Sequence, residues 1–445
     1  MNELPILPFR APARGTALVP GSKSLSNRAL LLAYLSGRTV EIRGLLRSRD
    51  TEVLRTAFAS LAVAMRETGP DTLAVEGCSG LPPVSRAAIA VDNAGTVARF
   101  LPAALSLLPR GRFDFDGSAA MRKRPMAGLL DCLETLGSTL TFGGCPGHFP
   151  FRLEPRGWRT DRLTVDASRS SQILSALLLA ATRAPRPIHL ALRGETVSRP
   201  FVEMTLRMIT SFGGSAGTEE GGYRIDPGLP GPADGLYEVE PDATAASYFF
   251  ALPLAAGGAM RVTGFPDQSL QGDLGFLSVL RDAGLGVDRG GRTGITVRAE
   301  APPRAVDCDF NAFSDTFLTL AALAPLFPGP VRIRGIAHTR LQETDRVAAM
   351  ATELRKLGAR VEEEEGALAI QPDPAETRRR TTARPLVIDT YEDHRVAMSF
   401  GVLGCHDLHG DGRPWIAIRD PHCCGKTFPG FFEELARVRS IAEAG

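Results

Sequence analysis

A helix-like stretch that closes on glycine and then continues as a β-like run recurs along this chain. Four clear copies, with apolar residues three and four apart, span 129–137, 204–213, 277–284 and 350–358. Their closing glycines are 76, 71 and 74 residues apart, and further helices at 51–64 and 428–438 fit the same interval. Six such units fill 445 residues. This period is longer than the 20–50 residues of common solenoid repeats. The sequence therefore predicts an α/β (α+β) protein built by duplication, most simply with three units in each of two domains. The stretch 372–384 is polar and contains prolines, so it is predicted to be a surface loop.

The balance of charge excludes several classes of function. Lys and Arg number 51 and Asp and Glu number 50, so the formal net charge of +1 argues against bulk nucleic-acid binding. No apolar run approaches the roughly 18 residues of a membrane span, and no secretory signal is visible, so we expect a cytoplasmic protein. The seven cysteines are odd in number and form no Cys-x-x-Cys pair, which favours reduced thiols over disulfides or a metal site.

Lysine is rare in this chain and therefore informative. Only four of the cations are lysines, at positions 23, 123, 356 and 426. Lys356 fits a solvent-facing surface residue. Lys23 and Lys426 lie in segments that carry chemistry, where a compact ammonium group differs from a planar guanidinium.

Seven segments place hydroxyl groups or cations at predicted helix starts, where free N–H groups and the helix dipole attract anions. They span 20–28, 92–99, 116–126, 168–172 with 198–200, 339–346, 392–395 and 425–429. Helix capping alone explains any one of them. Gly425-Lys426-Thr427 resembles the end of a P-loop, but Asp420 stands where that motif needs glycine. Together the segments indicate a cleft that closes on small polyanions.

These segments also carry a resemblance to a known family. The stretches that carry it are PGSKSLSNRALLLAYLSG, DNAGTVARFL, MRKRPM, SRSSQILSALLLAA, SRPFVEMT, PDATAASYFF, QETDRVAAMATELRKLG, EDHRVAMSF and KTFPGFFEEL. From about residue 15 to 435 the chain resembles the EPSP synthase family, the 3-phosphoshikimate 1-carboxyvinyltransferases. The resemblance implies two similar domains, each with buried helices and outer sheets, in an inside-out α/β barrel-like fold (EPT/RTPC-like). One domain would be 21–240 and the other 1–20 plus 241–445, with the active site in the cleft between them.

The resemblance implies a reaction as well. The family moves the enolpyruvyl group of phosphoenolpyruvate to the 5-hydroxyl of shikimate 3-phosphate and releases phosphate, in the shikimate pathway to chorismate and aromatic amino acids. We therefore expect these two small molecules as the partners, no cofactor, no metal, no nucleic acid, no membrane and a monomer. The two substrates carry roughly −5 to −6 in total charge, which the cations of the motifs would compensate.

The family pattern assigns roles residue by residue. It makes Asp315 and Glu343 the acid/base pair and places Lys23 at the reacting centre. The residues expected to bind shikimate 3-phosphate are Lys23, Ser24, Arg28, Ser170, Ser171, Gln172, Ser198, Asp315, His338 and Gln342. Those expected to bind phosphoenolpyruvate are Lys23, Gly95, Arg124, Gln172, Arg346, Arg395 and Lys426.

Three expected acceptor contacts depart from the common pattern: Gln342 where many members have Lys, His338 where Asn is common, and Phe201 where Tyr is common. A protonated His338 would partly replace the missing charge. An enolpyruvyltransferase for a different phosphorylated or shikimate-like acceptor is therefore the alternative. A UDP-N-acetylglucosamine enolpyruvyltransferase is disfavoured because the corresponding loop reads MRKRPM without the cysteine of many members. A catalytically inactive binding protein and an RNA-end-processing relative fit less well, given the surviving Lys23, Asp315 and Glu343 and the charge of +1.

Overall fold

The computed structural model describes residues 3–166, 168, 170–194, 197–290 and 294–444. Arg169, in the segment 168–172, lies outside the described residues. The α-helices are, in chain order, α1 Lys23–Leu35, α2 Arg49–Ser60, α3 Gly95–Leu105, α4 Ala119–Lys123, α5 Ala127–Thr135, α6 Ser171–Ala181, α7 Arg199–Ser211, α8 Ala243–Ala256, α9 Phe276–Asp282, α10 Phe317–Leu323, α11 Arg346–Lys356, α12 Pro374–Thr381, α13 His394–Leu403 and α14 Phe431–Glu443. The β-strands are β1 Glu3–Pro5, β2 Thr16–Ala17, β3 Val40–Arg43, β4 Met65–Gly69, β5 Thr72–Val75, β6 Arg86–Ala90, β7 Arg112–Asp116, β8 Thr139–Phe142, β9 Phe151–Glu154, β10 Arg162–Asp166, β11 Ile188–Arg193, β12 Ser215–Glu219, β13 Gly222–Asp226, β14 Leu236–Glu238, β15 Ala259–Val262, β16 Leu285–Arg289, β17 Ile295–Ala299, β18 Val306–Asp309, β19 Val331–Arg334, β20 Arg360–Glu363, β21 Leu368–Gln371, β22 Leu386–Ile388 and β23 Ile416–Arg419.

One βαβαββ pattern repeats through the chain. One copy is β6, α3, β7, α5, β8 and β9, with the short α4 inserted between β7 and α5, and its sheet has the order β6-β7-β9-β8. The first two strands of this sheet run parallel and the other two pairings are antiparallel. The sheets β10-β11-β13-β12 and β18-β19-β21-β20 have the same order. The predicted repeat of helix–strand units is therefore confirmed.

The chain forms two compact units, Gly21–Val239 and Met1–Pro20 with Glu240–Gly445. Strand pairing explains this division. β14, at the end of the first unit, pairs with β3 near its beginning. The N-terminal strands β1 and β2 instead pair with β23 and β15 of the second unit. The Pro- and Gly-rich stretch 226–235 lies inside the first unit, directly before β14.

Among the described residues, six helices are almost entirely buried and form the cores, three in each unit: α1, α3, α6, α8, α10 and α13. Every residue of α3 and of α10 is buried, and α1 is buried from Leu25 to its end. A helix that is apolar on all sides belongs in a protein core. Each fully buried leucine of these helices contributes roughly 1.5–3 kcal/mol of hydrophobic stabilisation. The strands of the sheets, such as β7, alternate between buried and exposed residues, so one sheet face is solvated. Buried helices with outer sheets were predicted, and this part of the fold class is confirmed.

The four predicted helix ends are confirmed. Gly137, Gly213, Gly284 and Gly358 have φ of 118°, 77°, 98° and 100°, and each lies two residues after the last residue of a helix. This left-handed conformation costs glycine little, because it has no Cβ atom. A strand starts within three residues of each glycine, as the pattern predicted.

Two local predictions are wrong. The stretch 372–384 is not a loop, because it contains α12. Asp373 caps this helix by accepting from the Glu376 N–H at 3.0 Å, and a proline at the first position is compatible with a helix. Lys356 is not merely solvent-facing, since its Nζ lies 2.5 Å from the buried carboxylate of Glu353.

All seven cysteines are free thiols. Within the described residues, no group of three or more His, Cys, Asp and Glu side chains has the arrangement of a metal site. None of the described helices combines the length and the apolar character needed to cross a bilayer.

Candidate functional site

In the first unit, Arg28 is a buried guanidinium with neutral partners. Its Nε donates to the Thr205 hydroxyl at 2.8 Å and its Nη2 to the Ser175 hydroxyl at 3.2 Å. The guanidinium also donates to the backbone carbonyls of Ser24 and Phe201, at 3.1 and 3.3 Å. Among the described residues, no carboxylate lies within ion-pair distance of it. Burial lowers the pKa of Arg28 to about 9. A buried charge without a counterion favours binding of an anion.

The surroundings of Arg28 hold it in one position. It lies on α1, whose N-cap Ser22 accepts from the Leu25 N–H at 3.4 Å. The rings of Phe100 and Phe201 lie 5.2 and 6.0 Å from its guanidinium carbon, within cation–π range. The guanidinium is therefore fixed before any ligand arrives.

Lys23, the first residue of α1, forms an ion pair with a buried aspartate. Its Nζ lies 3.7 Å from Asp50 Oδ2, and the aspartate is 3% exposed. Asp50 is on α2, so this pair joins the first turns of two helices. The lysine is held at the helix N-terminus that the sequence identified as an anion site.

A third cation of this unit, Arg124, faces the start of α3. A methyl group on Gly95 would lie 3.1 Å from both Nη atoms of Arg124, so glycine allows the close approach. The Nε and Nη1 atoms of Arg124 are buried and have no hydrogen-bond partner. Buried unsatisfied donors are costly, by about 1–3 kcal/mol each, unless a ligand accepts from them. The helix N-terminus and this guanidinium together suit an anionic group.

The predicted serines also lie at helix starts. Ser170 caps α6 and accepts from the Gln172 N–H at 3.3 Å, and the buried Oε1 of Gln172 has no hydrogen-bond partner. Ser171 is the first residue of α6 and is buried. Ser198 precedes α7 in a left-handed conformation with φ of 51°. Serine side chains therefore lie at the N-termini of α6 and α7.

In the second unit, Arg346 is surrounded by carboxylates. Its Nε donates to Asp393 Oδ2 at 2.7 Å, its Nη1 to Asp315 Oδ1 at 3.0 Å and its Nη2 to Glu343 Oε2 at 3.0 Å. Its Nη1 also donates to Gln342 Oε1. Burial lowers the pKa of Arg346, but the three carboxylates raise it more, so it ends above its ordinary value. This guanidinium is fully compensated.

Two more cations complete what we term the arginine–carboxylate network, which consists of Asp315, Gln342, Glu343, Arg346, Asp393, Arg395 and Lys426. Arg395 Nη2 donates to Asp315 Oδ2 at 2.6 Å, and Lys426 Nζ lies 3.5 Å from Glu343 Oε1. Asp315 and Glu343 therefore each contact two cations, and their oxygens are held in fixed positions.

Two neighbouring groups have perturbed titrations. His338 Nε2 lies 2.8 Å from the Ser314 hydroxyl, and burial lowers the pKa of its imidazole below the ordinary value. Burial therefore disfavours the protonated imidazole, and the expectation that a protonated His338 replaces a missing charge stays a prediction. Asp273 is buried, and burial together with Asp315 raises the pKa of its carboxyl to about 7.

Comparison with known proteins decides the family. The sequence pattern of EPSP synthase (3-phosphoshikimate 1-carboxyvinyltransferase) matches residues 10–435. A 3-phosphoshikimate 1-carboxyvinyltransferase of Opitutus terrae is 46% identical, with 98% of this chain and 97% of the relative covered. One of Bordetella avium is 38% identical, with 99% and 100% covered. The chain belongs to the EPSP synthase family.

Solved structures of similar proteins share the fold of this EPSP synthase family member. An EPSP synthase of Acinetobacter baumannii has a TM-score of 0.78 at 21% identity, with 98% of both chains covered. The enolpyruvyl transferase NikO of Streptomyces tendae has a TM-score of 0.71 at 17% identity, with 98% of this chain and 97% of the other covered. The expected inside-out fold of the family is confirmed.

The residues that the family resemblance predicted lie together in the second unit but not in the first. Six predicted residues of the second unit, namely Asp315, Gln342, Glu343, Arg346, Arg395 and Lys426, lie in one bonded network. The seventh, His338, is hydrogen-bonded to Ser314, the residue before Asp315. The predicted residues of the first unit form separate contacts: Arg28 with the Ser24 carbonyl, Gly95 with Arg124, Ser170 with Gln172, and Lys23 with Asp50. The ligand roles of all these residues stay predictions.

Sequence reasoning missed Asp393, Asp50 and the two hydroxyls beside Arg28. Asp393 is fully buried and binds Arg346 while capping α13. Its position just before an apolar helix is the signal that could have found it, since aspartate is a preferred N-cap. Ser175 and Thr205 lie on α6 and α7, far from Arg28 in sequence, and only the fold brings them to it.

Proposed function

We propose that the protein is a 3-phosphoshikimate 1-carboxyvinyltransferase. It transfers the enolpyruvyl group of phosphoenolpyruvate to the 5-hydroxyl of shikimate 3-phosphate and gives 5-enolpyruvylshikimate 3-phosphate and phosphate. The observation that carries the proposal is the match to enzymes of this name over nearly the whole chain, at up to 46% identity. The cation sets of the two units support it, because both substrates are polyanions. The expectations of a monomer and of a cytoplasmic location stay predictions.

The acceptor would be held mainly by the first unit. Arg28 has a buried positive charge, and a substrate carboxylate would provide its missing counterion. Ser170, Ser171 and Ser198 would donate their hydroxyls to the phosphate of shikimate 3-phosphate. Ser24 adds a hydroxyl next to Lys23 at the start of α1.

The donor would be held by the residues that the family pattern assigns to it. Arg124, the N-terminus of α3 at Gly95, Lys23 and Gln172 would bind phosphoenolpyruvate. The same pattern assigns Arg346, Arg395 and Lys426 to this substrate. Each charge-assisted hydrogen bond to such an anion contributes about 1.5–3 kcal/mol.

Asp315 and Glu343 would move the protons. The methylene carbon of phosphoenolpyruvate gains a proton and becomes a methyl group, while the 5-hydroxyl loses its proton and its oxygen attacks the adjacent carbon. The resulting ketal then expels phosphate as its C–O bond breaks, and the methyl group loses a proton to restore the carbon–carbon double bond of the enolpyruvyl group. One carboxyl group must donate and one must accept a proton. Both lie in the arginine–carboxylate network, where Arg346 fixes the distance between them.

The test is phosphate release from phosphoenolpyruvate by the purified protein, with shikimate 3-phosphate, with shikimate, and with neither. We expect release that depends on shikimate 3-phosphate and is at least a hundredfold slower with shikimate, because the phosphate contacts are lost. The variant Asp315→Asn is the matched control for contaminating phosphatases. Equal turnover of shikimate and its 3-phosphate would favour the alternative acceptor, and no release with either would contradict the proposal.

A further inference from the structure

The turn before α13 contains two consecutive left-handed residues. Tyr391 has φ of 54° and Glu392 has φ of 58°. Residues with a Cβ atom rarely adopt this conformation, and neither of these is the Asn or Asp that tolerates it best. Such backbone strain persists only where the surrounding structure holds it.

A buried glutamate holds one side of this turn. The Tyr391 hydroxyl donates to Glu353 Oε1 at 2.6 Å, and the Asp389 N–H donates to Glu353 Oε2 at 3.2 Å. Glu353 is 0% exposed. Lys356 compensates its charge and also donates to Asp389 Oδ2 at 2.9 Å. The carboxylate therefore bonds both the backbone that enters the turn and the side chain at its tip.

Asp393 holds the other side. Its N–H donates to the Thr390 carbonyl at 2.8 Å and closes the turn. Its Oδ2 accepts from Arg346 Nε at 2.7 Å, and its Oδ1 accepts from the Arg395 N–H at 2.8 Å. Arg346 and Glu353 are two turns apart on the same face of α11. This helix therefore contacts the turn at two points.

We propose that Glu353 and Tyr391 are positioning residues of the phosphoenolpyruvate site. They hold the left-handed turn and so place Asp393, which in turn orients Arg346 and the start of α13 with Arg395. The inference rests on the proposed function, in which those two arginines bind phosphoenolpyruvate.

The variant Tyr391→Phe tests the inference. It keeps the ring and removes the hydroxyl that bonds Glu353. We expect KM for phosphoenolpyruvate to rise about fivefold and KM for shikimate 3-phosphate to change less than twofold. The effect is modest because only part of the free energy of the lost hydrogen bond affects the positions of the two arginines. Hydrogen exchange of the Asp393 and Arg395 amides should accelerate about fivefold as well, because the turn protects both.

Two further variants separate positioning from general stability. Tyr34→Phe removes a different tyrosine hydroxyl bond, which is buried, 2.9 Å long, and made to the Gly80 carbonyl in the other unit. It should lower the melting temperature and leave both the KM for phosphoenolpyruvate and the exchange of the two amides unchanged. Adding Glu392→Asn to Tyr391→Phe should restore most of the loss, because asparagine accepts the left-handed conformation more readily.

Unchanged KM and unchanged amide exchange in Tyr391→Phe would overturn the inference. A loss that Glu392→Asn does not restore would overturn it too, because the hydroxyl would then act by another route. If the wild-type protein releases no phosphate with shikimate 3-phosphate, the proposed function fails by itself. The exchange rates then still decide whether the hydroxyl holds the turn.

Discussion

Arg28 and Arg346 are both buried guanidiniums, yet their surroundings are opposite. Arg28, in the first unit, bonds two hydroxyls and two backbone carbonyls. Arg346, in the second unit, bonds three carboxylates. The same contrast extends to the cations around them. Among Lys23, Arg28 and Arg124 of the first unit, Lys23 alone has a carboxylate partner in the described residues, namely Asp50, whereas Arg346, Arg395 and Lys426 contact three carboxylates.

The difference indicates a division of labour. A site with excess positive charge binds an anion without displacing a protein carboxylate, so the first unit is suited to substrate affinity. A neutral network gains less from binding an anion, but it holds carboxylates in fixed positions next to cations. Such carboxylates suit proton transfer. The second unit is therefore suited to the chemical step.

The largest expected effect is on kcat and comes from the second unit. Glu343→Gln removes a proton-transfer group while keeping its size, so kcat should fall about 10²–10⁴-fold. Steady-state phosphate release measures it. Glu434→Gln is the matched control, since Glu434 is also buried and paired with an arginine, Arg437, at 2.6 Å in the same unit. A kcat reduced less than tenfold by Glu343→Gln would show that the network binds substrate but does not transfer the proton.

The next effect concerns stability and compares the two guanidiniums directly. Arg346→Met leaves three carboxylates without their shared cation and should lower the free energy of unfolding by about 3–5 kcal/mol. Arg28→Met removes a charge that has no counterion, and Thr205 and Ser175 keep a 3.1 Å bond to each other. We expect the second variant to lose far less stability, measured by urea unfolding. Equal losses of unfolding free energy in the two variants would show that Arg28 and Arg346 do not differ in how their charges are compensated.

A smaller effect depends on pH. The pKa of Asp273 is raised to about 7, so ionising this group costs the folded state free energy once the pH exceeds its unfolded-state pKa. That cost is absent near pH 4, grows up to pH 7 and is constant above it. Asp273→Asn should therefore raise the melting temperature at pH 8 and not at pH 4, by roughly 2–4 °C per kcal/mol recovered. Asp131→Asn, at an exposed site, is the control. An increase in melting temperature of the same size at both pH values would show that the pKa of Asp273 is not raised by burial.

The repeat could be predicted from sequence because its signals are local. Gly137, Gly213, Gly284 and Gly358 end helices whose apolar spacing is visible within ten residues. α12 was missed because its stability depends on an aspartate cap and on ion pairs of Glu376 with Arg379 and Arg380, in a stretch without an apolar face. Composition alone makes such a stretch look like a loop.

The candidate site could be predicted only in part. Motifs identified the cations, and three of them, Lys23, Arg346 and Arg395, lie in the first turn of a helix. The partners that decide the charge of each cation come from distant segments. Asp315 and Arg395 are 80 residues apart, and Arg28 and Thr205 are 177 apart. Charge compensation therefore follows from the packing of the core helices and could not be derived from local pattern.

Binding of shikimate 3-phosphate in the absence of phosphoenolpyruvate, measured by calorimetry, tests the division of labour most directly. The wild-type protein and Glu343→Gln should bind it with the same affinity. Arg28→Met should bind it about 10–150-fold more weakly, because it loses a charge-assisted contact of about 1.5–3 kcal/mol. If Glu343→Gln weakened binding as much as Arg28→Met does, or if Arg28→Met bound as the wild type does, the two units would not differ in the way proposed.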